Sequence, residues 1–92
     1  MAFSGQTTVA AAGTAVALGS QRADGPVLVK ALDTNTSIVS VGNDGYGDVT
    51  VSNGLRLAAG GEVYFQWVGD LATLWLDSAV NGEGVSWIIL NV

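Results

Sequence analysis

The residue types that carry most catalytic chemistry are missing or isolated in this sequence. Histidine and cysteine are both absent from the 92 residues, which removes the commonest general base, the thiol nucleophile and the usual zinc ligands. Lys30 is the single lysine, and no serine precedes it in the S-x-x-K spacing of a Ser–Lys pair. Asp44 and Asp48 could form a carboxylate pair, and so could Asp70 and Asp77. A glycosidase needs a substantial cleft around such a pair, which a chain this short has little room to form, so we expect no enzymatic activity and no cofactor.

The segment from Asn43 to Asp48 places Asn, Asp and Gly side by side, and the oxygen atoms of such residues bind calcium. The spacing lacks the glutamate at the twelfth position of an EF-hand loop and the tandem repeats of a calcium-binding β-roll. The same residues are typical of a hairpin loop, in which they adopt turn conformations. The sequence favours the turn and leaves the calcium site open.

The chain carries unusually few charges. Lys, Arg, Asp and Glu make up 12% of the residues, about half of the roughly 25% found in soluble domains. A surface this poor in charge promotes association, so an obligate assembly is favoured over a monomer. Eight acids and three bases give a net charge of −5, and three dispersed cations do not form a nucleic-acid-binding patch. No apolar run has the length of a membrane helix, and the Ala-rich N-terminus lacks the basic region of a secretory signal. We therefore expect neither nucleic acid nor membrane as a partner, and synthesis in a cytoplasm.

The hydrophobic periodicity is that of β-strands throughout. Thirteen glycines and several Asn-Gly or Asp-Gly turn signals divide the chain into short segments, which include predicted strands at residues 48–52 and 72–77. In the clearest strand, Val63, Phe65 and Trp67 alternate with Tyr64, Gln66 and Val68. This pattern predicts an all-β fold, a small antiparallel β-sandwich of about eight short strands, with jelly-roll connections as one option. Residues 1–92 then form a single domain, in which residues 1–25 are either an N-terminal arm or an opening hairpin.

Two predicted strands are apolar on both faces. Residues 26–32 carry Val27, Val29 and Ala31 on one face and Leu28 and Leu32 on the other. Residues 85–90 show the same property. We therefore expect the first of these strands, residues 26–32, to be covered on both sides.

The tryptophans divide into two groups by strand phase. Trp67 and Trp87 alternate in step with apolar neighbours, which predicts burial in the core. Trp75 shares its face with Thr73 and Asp77, and an aromatic residue on a polar face is typical of an interface hot spot. The other candidate interface residues, chosen from strand phase, are Tyr64, Tyr46, Phe3 and Arg56.

The stretch from Lys30 to Leu90 resembles small proteins encoded among bacteriophage structural genes. The resemblance lies in I-x-x-V-G-N at residues 38–43, D-V-T at 48–50, S-N-G-L-x-L at 52–57 continuing to Gly60, and a short L-x-x-L-W-L strand at 71–76. The stretch covers about two-thirds of the chain, and its motifs consist of turn and core residues. They contain no catalytic residue.

The family that these motifs resemble is that of phage capsid cement, or decoration, proteins. The resemblance implies a β-sandwich that binds the outer surface of a capsid and stabilises the shell by bridging capsomers. It also implies two partners, the major capsid protein and the chain's own copies in a homotrimer, and a location on the outside of the virion. Two alternatives remain open: a carbohydrate- or receptor-binding module that uses exposed aromatic side chains, and another virion component of the tail, neck or fibre.

Overall fold

The computed structural model describes residues 1–44 and 47–91 and shows an all-β protein. Its only helical element in these residues is a single 3₁₀ turn, Leu71–Thr73, capped by the Asp70 carboxylate, which accepts the Ala72 N–H at 2.8 Å. The ten strands are β1 Phe3–Thr8, β2 Val16–Ala17, β3 Arg22–Ala23, β4 Val27–Ala31, β5 Val39–Gly42, β6 Leu55–Leu57, β7 Glu62–Phe65, β8 Gly69–Asp70, β9 Trp75–Ser78 and β10 Gly84–Ile89.

The strands form two four-stranded antiparallel sheets and one two-stranded ribbon. The first sheet has the order β1-β10-β4-β7, the second sheet has the order β2-β9-β5-β6, and β3 pairs with β8. The first strand of the chain thus pairs with the last, the second with the last but one, and so on inward to β5 and β6. One long antiparallel ribbon has been rolled up, and the contacts β10–β4 and β9–β5 close the two sheets. This is the connectivity of a jelly roll, and it confirms the predicted sandwich of about eight short strands.

The core lies between the two sheets and is built by strand alternation. On β4, Val27, Val29 and Ala31 are fully buried, and they lie opposite Ile89 and Val85 of β10. The second sheet supplies the other half of the core. Its fully buried apolar side chains and those of the connecting segments are Val9, Leu18, Ala23, Val39, Leu71 and Leu76.

The first 25 residues are neither an arm nor an opening hairpin. β1 pairs with β10 in the first sheet, whereas β2 pairs with β9 in the second. The turn at Gly13, which has a positive φ of 88°, therefore carries the chain from one sheet to the other. The sequence could not show this, because each strand finds its partner near the opposite end of the chain.

Two further expectations are corrected by the strand boundaries. Residues 48–52, predicted as a strand, form turns and bends, and Thr50 Oγ1 accepts the N–H groups of Ser52 and Asn53 at 3.2 and 3.0 Å. The predicted strand at residues 72–77 begins only at Trp75, because the preceding residues form the capped 3₁₀ turn.

Candidate functional site

The outer face of the first sheet carries a row of apolar side chains that the described chain leaves uncovered. Ile88, Leu28 and Tyr64 lie directly opposite one another on three adjacent strands, and we call these three residues the apolar row. Ser4 of β1 extends the row to the sheet edge. Ile88 and Leu28 are half-buried, and Tyr64 is 55% exposed. Since a β-strand alternates its side chains between faces, this row points away from the core.

A polar row runs beside the apolar row on the same face. It consists of Gln6, Ser86, Lys30 and Glu62, again directly opposite one another. The Lys30 ammonium lies 3.6 Å from the Asp33 carboxylate. A shallow depression of about 420 Å³ lies over both rows on the β1–β10–β4 side. The face therefore offers apolar contact area bordered by hydrogen-bonding groups, the arrangement found at protein interfaces.

The outer face of the second sheet is different, because the chain's own loops cover it. Asp77 of β9 points outward and is nevertheless only 1% exposed. Its carboxylate accepts the N–H groups of Gly13 at 3.1 Å and Ser78 at 2.8 Å. Val49, 2% exposed, packs so closely against Gly42 that a Cβ there would lie 2.5 Å from its Cγ2 atom. Segments of the same chain thus cover much of this face.

This coverage changes the interpretation of Trp75 and Arg56. Trp75 lies on the covered outer face, opposite Ala17 and Gly42, and is half-buried. Trp75 shares its face of β9 with the polar Asp77, as predicted, but the chain's own loops cover much of that face. The Arg56 guanidinium turns back onto its own chain, where Nη1 donates to Ser40 Oγ at 3.2 Å and to the Val51 carbonyl at 2.5 Å.

The other predicted interface residues have different outcomes. Tyr64 belongs to the apolar row, and Phe3, 46% exposed, lies at the start of the edge strand β1. Tyr46 lies outside the described residues. The structure therefore brings Tyr64 together with Leu28 and Ile88, and it leaves Phe3 on the inner side of the same sheet.

The prediction that Trp67 is buried is wrong, since Trp67 is 67% exposed. The strand ends at Phe65, so the alternation that placed Trp67 with Val63 does not continue. Its indole instead lies against Gly69, where a Cβ would come within 2.9 Å of the ring. Gly69, the first residue of β8, has a positive φ of 79°, a conformation that favours glycine.

Trp87 has the predicted phase and packs against the core, although it is only half-buried. Its indole covers Gly5, which lies directly opposite on β1. The indole Nε1–H donates to Thr7 Oγ1 at 3.1 Å, and the ring centroid lies 5.9 Å from that of Phe3. Trp87 thus fastens the edge strand β1 to the sandwich.

The calcium hypothesis gains no support from the residues that the structure describes. Within residues 1–44 and 47–91, no group of three or more acidic side chains gathers as a metal site would require. One Asp48 carboxylate oxygen accepts the Asn43 N–H at 3.2 Å, as in a turn. The centre of this loop, residues 45 and 46, lies outside the described part.

The surroundings of Glu83 lower the pKa of its carboxyl group. The backbone N–H of Thr36 donates to its carboxylate at 2.6 Å and lowers the pKa of Glu83 most. The two hydroxyls of Thr36 and Ser37 and the Ser37 N–H also donate to it, at 2.8 to 3.0 Å. Glu83 therefore ties the 36–37 loop to the start of β10, which is a structural role.

Leu28 and Ile88 were missed as candidates, although the sequence contained their signal. Both belong to strands whose two faces are apolar, and for the strand of Leu28 the sequence predicted that both faces would be covered. The structure shows the inner faces buried and the outer faces open within the described chain. A contiguous group of apolar side chains on a strand face that its own chain does not cover is typical of a contact surface.

Comparison with protein-family models, with curated proteins and with solved structures finds no match to this chain. The described residues also contain no helix long and apolar enough to cross a membrane. The resemblance to capsid cement proteins therefore stays a prediction.

Proposed function

We propose that this chain is a non-enzymatic structural subunit of a phage particle, which binds the outer surface of the capsid as a homotrimer and bridges neighbouring capsomers. The observation that carries the proposal is the uncovered apolar row of Ile88, Leu28 and Tyr64. The row lies on a regular sheet in a chain with only 12% charged residues. Such a face suits a broad, flat contact better than a small-molecule site.

The electrostatics of the face support a protein partner. Its two rows contain one cation, Lys30, and one anion, Glu62, which lie directly opposite each other. The Asp33 carboxylate lies 3.6 Å from the Lys30 ammonium, so the face carries a net charge of about −1, although the whole chain has a net charge of −5. A face with so little charge can approach an acidic protein surface with little repulsion, because most of the remaining charges lie elsewhere.

The size of the face fits a component that acts in many copies. The four strands are four to six residues long, and at about 4.8 Å between strands and about 3.3 Å per residue they give a face of roughly 250–380 Å². A specific interface commonly buries about 800 Å² on each partner, so one such face binds weakly on its own. Copies joined in a trimer and placed on a shell bind together, and their combined attachment is much stronger than any single contact.

Cosedimentation with DNA-filled heads of the phage that encodes the chain tests the proposal. Leu28→Gln places a polar group in the apolar row, and we expect it to weaken head binding by about tenfold or more, as at an interface hot spot. The matched control is Leu55→Gln, since Leu55 is 47% exposed on the edge strand β6 of the other sheet. This control should bind heads as the unaltered chain does.

Three results of this experiment carry different meanings. If the unaltered chain does not sediment with heads, the capsid role is wrong. If it sediments with tails instead, the chain belongs to another part of the virion. If Leu28→Gln stays folded, as judged by thermal melting, and binds heads normally, the apolar row is not the contact surface.

Carbohydrate binding is a second candidate that one observation favours. Trp67 and Tyr64 are 67% and 55% exposed, and jelly-roll folds also occur in lectins. Saturable binding to a glycan array, lost in Trp67→Ala, would favour this function over the capsid role.

A further inference from the structure

The four edge strands of the two sheets differ in how well they are protected against pairing with another chain. β2 has two residues, β6 has three and includes Arg56, and β7 has four and begins with Glu62. Short length and charge are the usual means of keeping sheet edges from associating. β1, Phe3–Thr8, has six residues, no charge and no proline, and pairs with β10 in unbroken register. Among the described edges, β1 alone lacks every one of these protections.

The hydrogen-bond pattern shows which backbone groups of β1 face outward. In an antiparallel pair, alternate residues direct their N–H and C=O groups toward the partner strand. The Val9 N–H donates to the Glu83 carbonyl at 2.8 Å, which continues the β1–β10 ladder. Odd-numbered residues of β1 therefore face β10, and Ser4, Gln6 and Thr8 direct their backbone groups away from the sheet. All three are exposed.

We propose that this edge pairs with β1 of a second copy, antiparallel, around a two-fold axis at Gln6. Gln6 then lies opposite Gln6 of the second copy, and Ser4 lies opposite its Thr8. In this register every outward N–H and C=O of the three residues meets a partner, and two four-stranded sheets become one sheet of eight. A two-fold axis makes the contact self-complementary, so one strand supplies both sides.

The charge distribution favours a second copy as the occupant. Two chains of net charge −5 repel each other, so they associate best where the charge is least. β1 carries no charge, and the outer-face residues beside it on β10, Ile88 and Ser86, are also uncharged. The hydroxyls of Ser4 and Thr8, placed opposite each other across the axis, add a side-chain pair of a kind that stabilises sheets.

This contact is independent of the capsid role and adds to it. It is a small interface, so the pairing is weak and depends on protein concentration. On a shell, neighbouring trimers are related by two-fold axes, and a β1–β1 contact there would connect one trimer to the next. The inference itself requires only purified protein.

Light scattering at micromolar to millimolar concentrations tests the pairing with charge variants. The unaltered chain should increase in mass toward twice that of its smallest species, which is 9.3 kDa if that species is the single chain. Gln6→Lys places like charges directly opposite each other and should abolish this doubling. Gln6→Glu alone should do the same, whereas an equimolar mixture of the two variants places opposite charges together and should restore it. The matched control, Gln66→Lys, adds the same charge at an exposed position beyond β7 and should leave the doubling intact.

Amide exchange keeps the test decisive if a variant folds poorly. In the unaltered chain, the Gln6 amide should exchange more slowly as the protein concentration rises, because that N–H is bonded only in the pair. The proposal is overturned if the unaltered chain never doubles in mass, if Gln6→Lys behaves like the unaltered chain, or if the mixture fails to restore the pairing. A trimer whose mass is insensitive to Gln6→Lys would overturn the β1 contact and leave the capsid role standing.

Discussion

Asn35→Ala should be among the most destabilising single substitutions outside the apolar core. Asn35 is 8% exposed, and its side-chain amide pairs with the backbone of Gly84. Its Nδ2 donates to the Gly84 carbonyl at 2.9 Å, and its Oδ1 accepts the Gly84 N–H at 3.3 Å. Gly84 begins β10, the strand that joins β1 to the rest of the first sheet. The Asn35 side-chain amide thus makes the pair of hydrogen bonds that a backbone residue of a neighbouring strand would make with Gly84.

The expected magnitude follows from the groups left without partners. In Asn35→Ala the Gly84 carbonyl still accepts the Leu32 N–H at 3.1 Å. The buried Gly84 N–H, however, loses its hydrogen bond to the Asn35 side chain. An unsatisfied buried donor costs about 1–3 kcal/mol. For a domain of this size, each kcal/mol corresponds to about 4–8 °C in melting temperature, so we expect a decrease of roughly 8–16 °C for a loss of about 2 kcal/mol.

Urea unfolding followed by tryptophan fluorescence gives the free energy directly. The matched control is Asn81→Ala, because Asn81 makes one exposed hydrogen bond, in which Oδ1 accepts the Ala12 N–H at 2.8 Å. Its loss should cost about 0.5 kcal/mol, since water can replace the partner. If Asn35→Ala costs no more than Asn81→Ala, the side chain does not complete the sheet and the reasoning from buried polar groups fails here.

Two further substitutions test how β10 is held. In the folded chain the pKa of Glu83 lies below its ordinary value of 4.5, so its stabilising effect is full above that value and is lost as the pH falls through the folded pKa. Glu83→Gln should therefore be less stable than the unaltered chain at neutral pH, and the difference should shrink in urea titrations carried out in acid; a constant difference would contradict the assigned hydrogen bonds. Gly84→Ala would place a Cβ 2.1 Å from the Thr7 carbonyl oxygen, so β1 must move away from β10. We expect a loss of about 1–3 kcal/mol, and a stability equal to that of the unaltered chain would show that the strands lie farther apart.

Strand phase was predictable wherever a strand continued to its expected end. Val63 and Phe65 pack against the core and Tyr64 points outward, as their alternation indicates. The same reasoning failed at Trp67, two residues farther on, because the strand had already ended at Phe65. Periodicity identifies a face only inside the element, and here the alternating pattern runs on to Val68 although the strand ends at Phe65.

Surface assignments were harder to predict than the core, because coverage depends on distant loops. Asp77 lies on the outer face of its strand but is buried, since Gly13, which is distant in sequence, packs over it and donates its N–H to the carboxylate. Leu28 was predicted to be covered and is open. In both cases the sequence indicates the side chain's polarity and face. Which segment covers that face depends on the rolled topology, and short-range patterns carry no information about it.

The rolled ribbon also dictates an order of events during synthesis on the ribosome. Val41 and Leu55, opposite each other near the tip of the ribbon, are 14 residues apart (55 − 41), whereas Phe3 and Ile89 are 86 apart (89 − 3). Contacts between distant residues form late, because closing a long loop costs more entropy than closing a short one. β1 is therefore made first and must wait unpaired until β10 has left the ribosome. The nascent chain carries its least protected strand exposed while residues 9–89 are made, and the sandwich closes only after β10 is released.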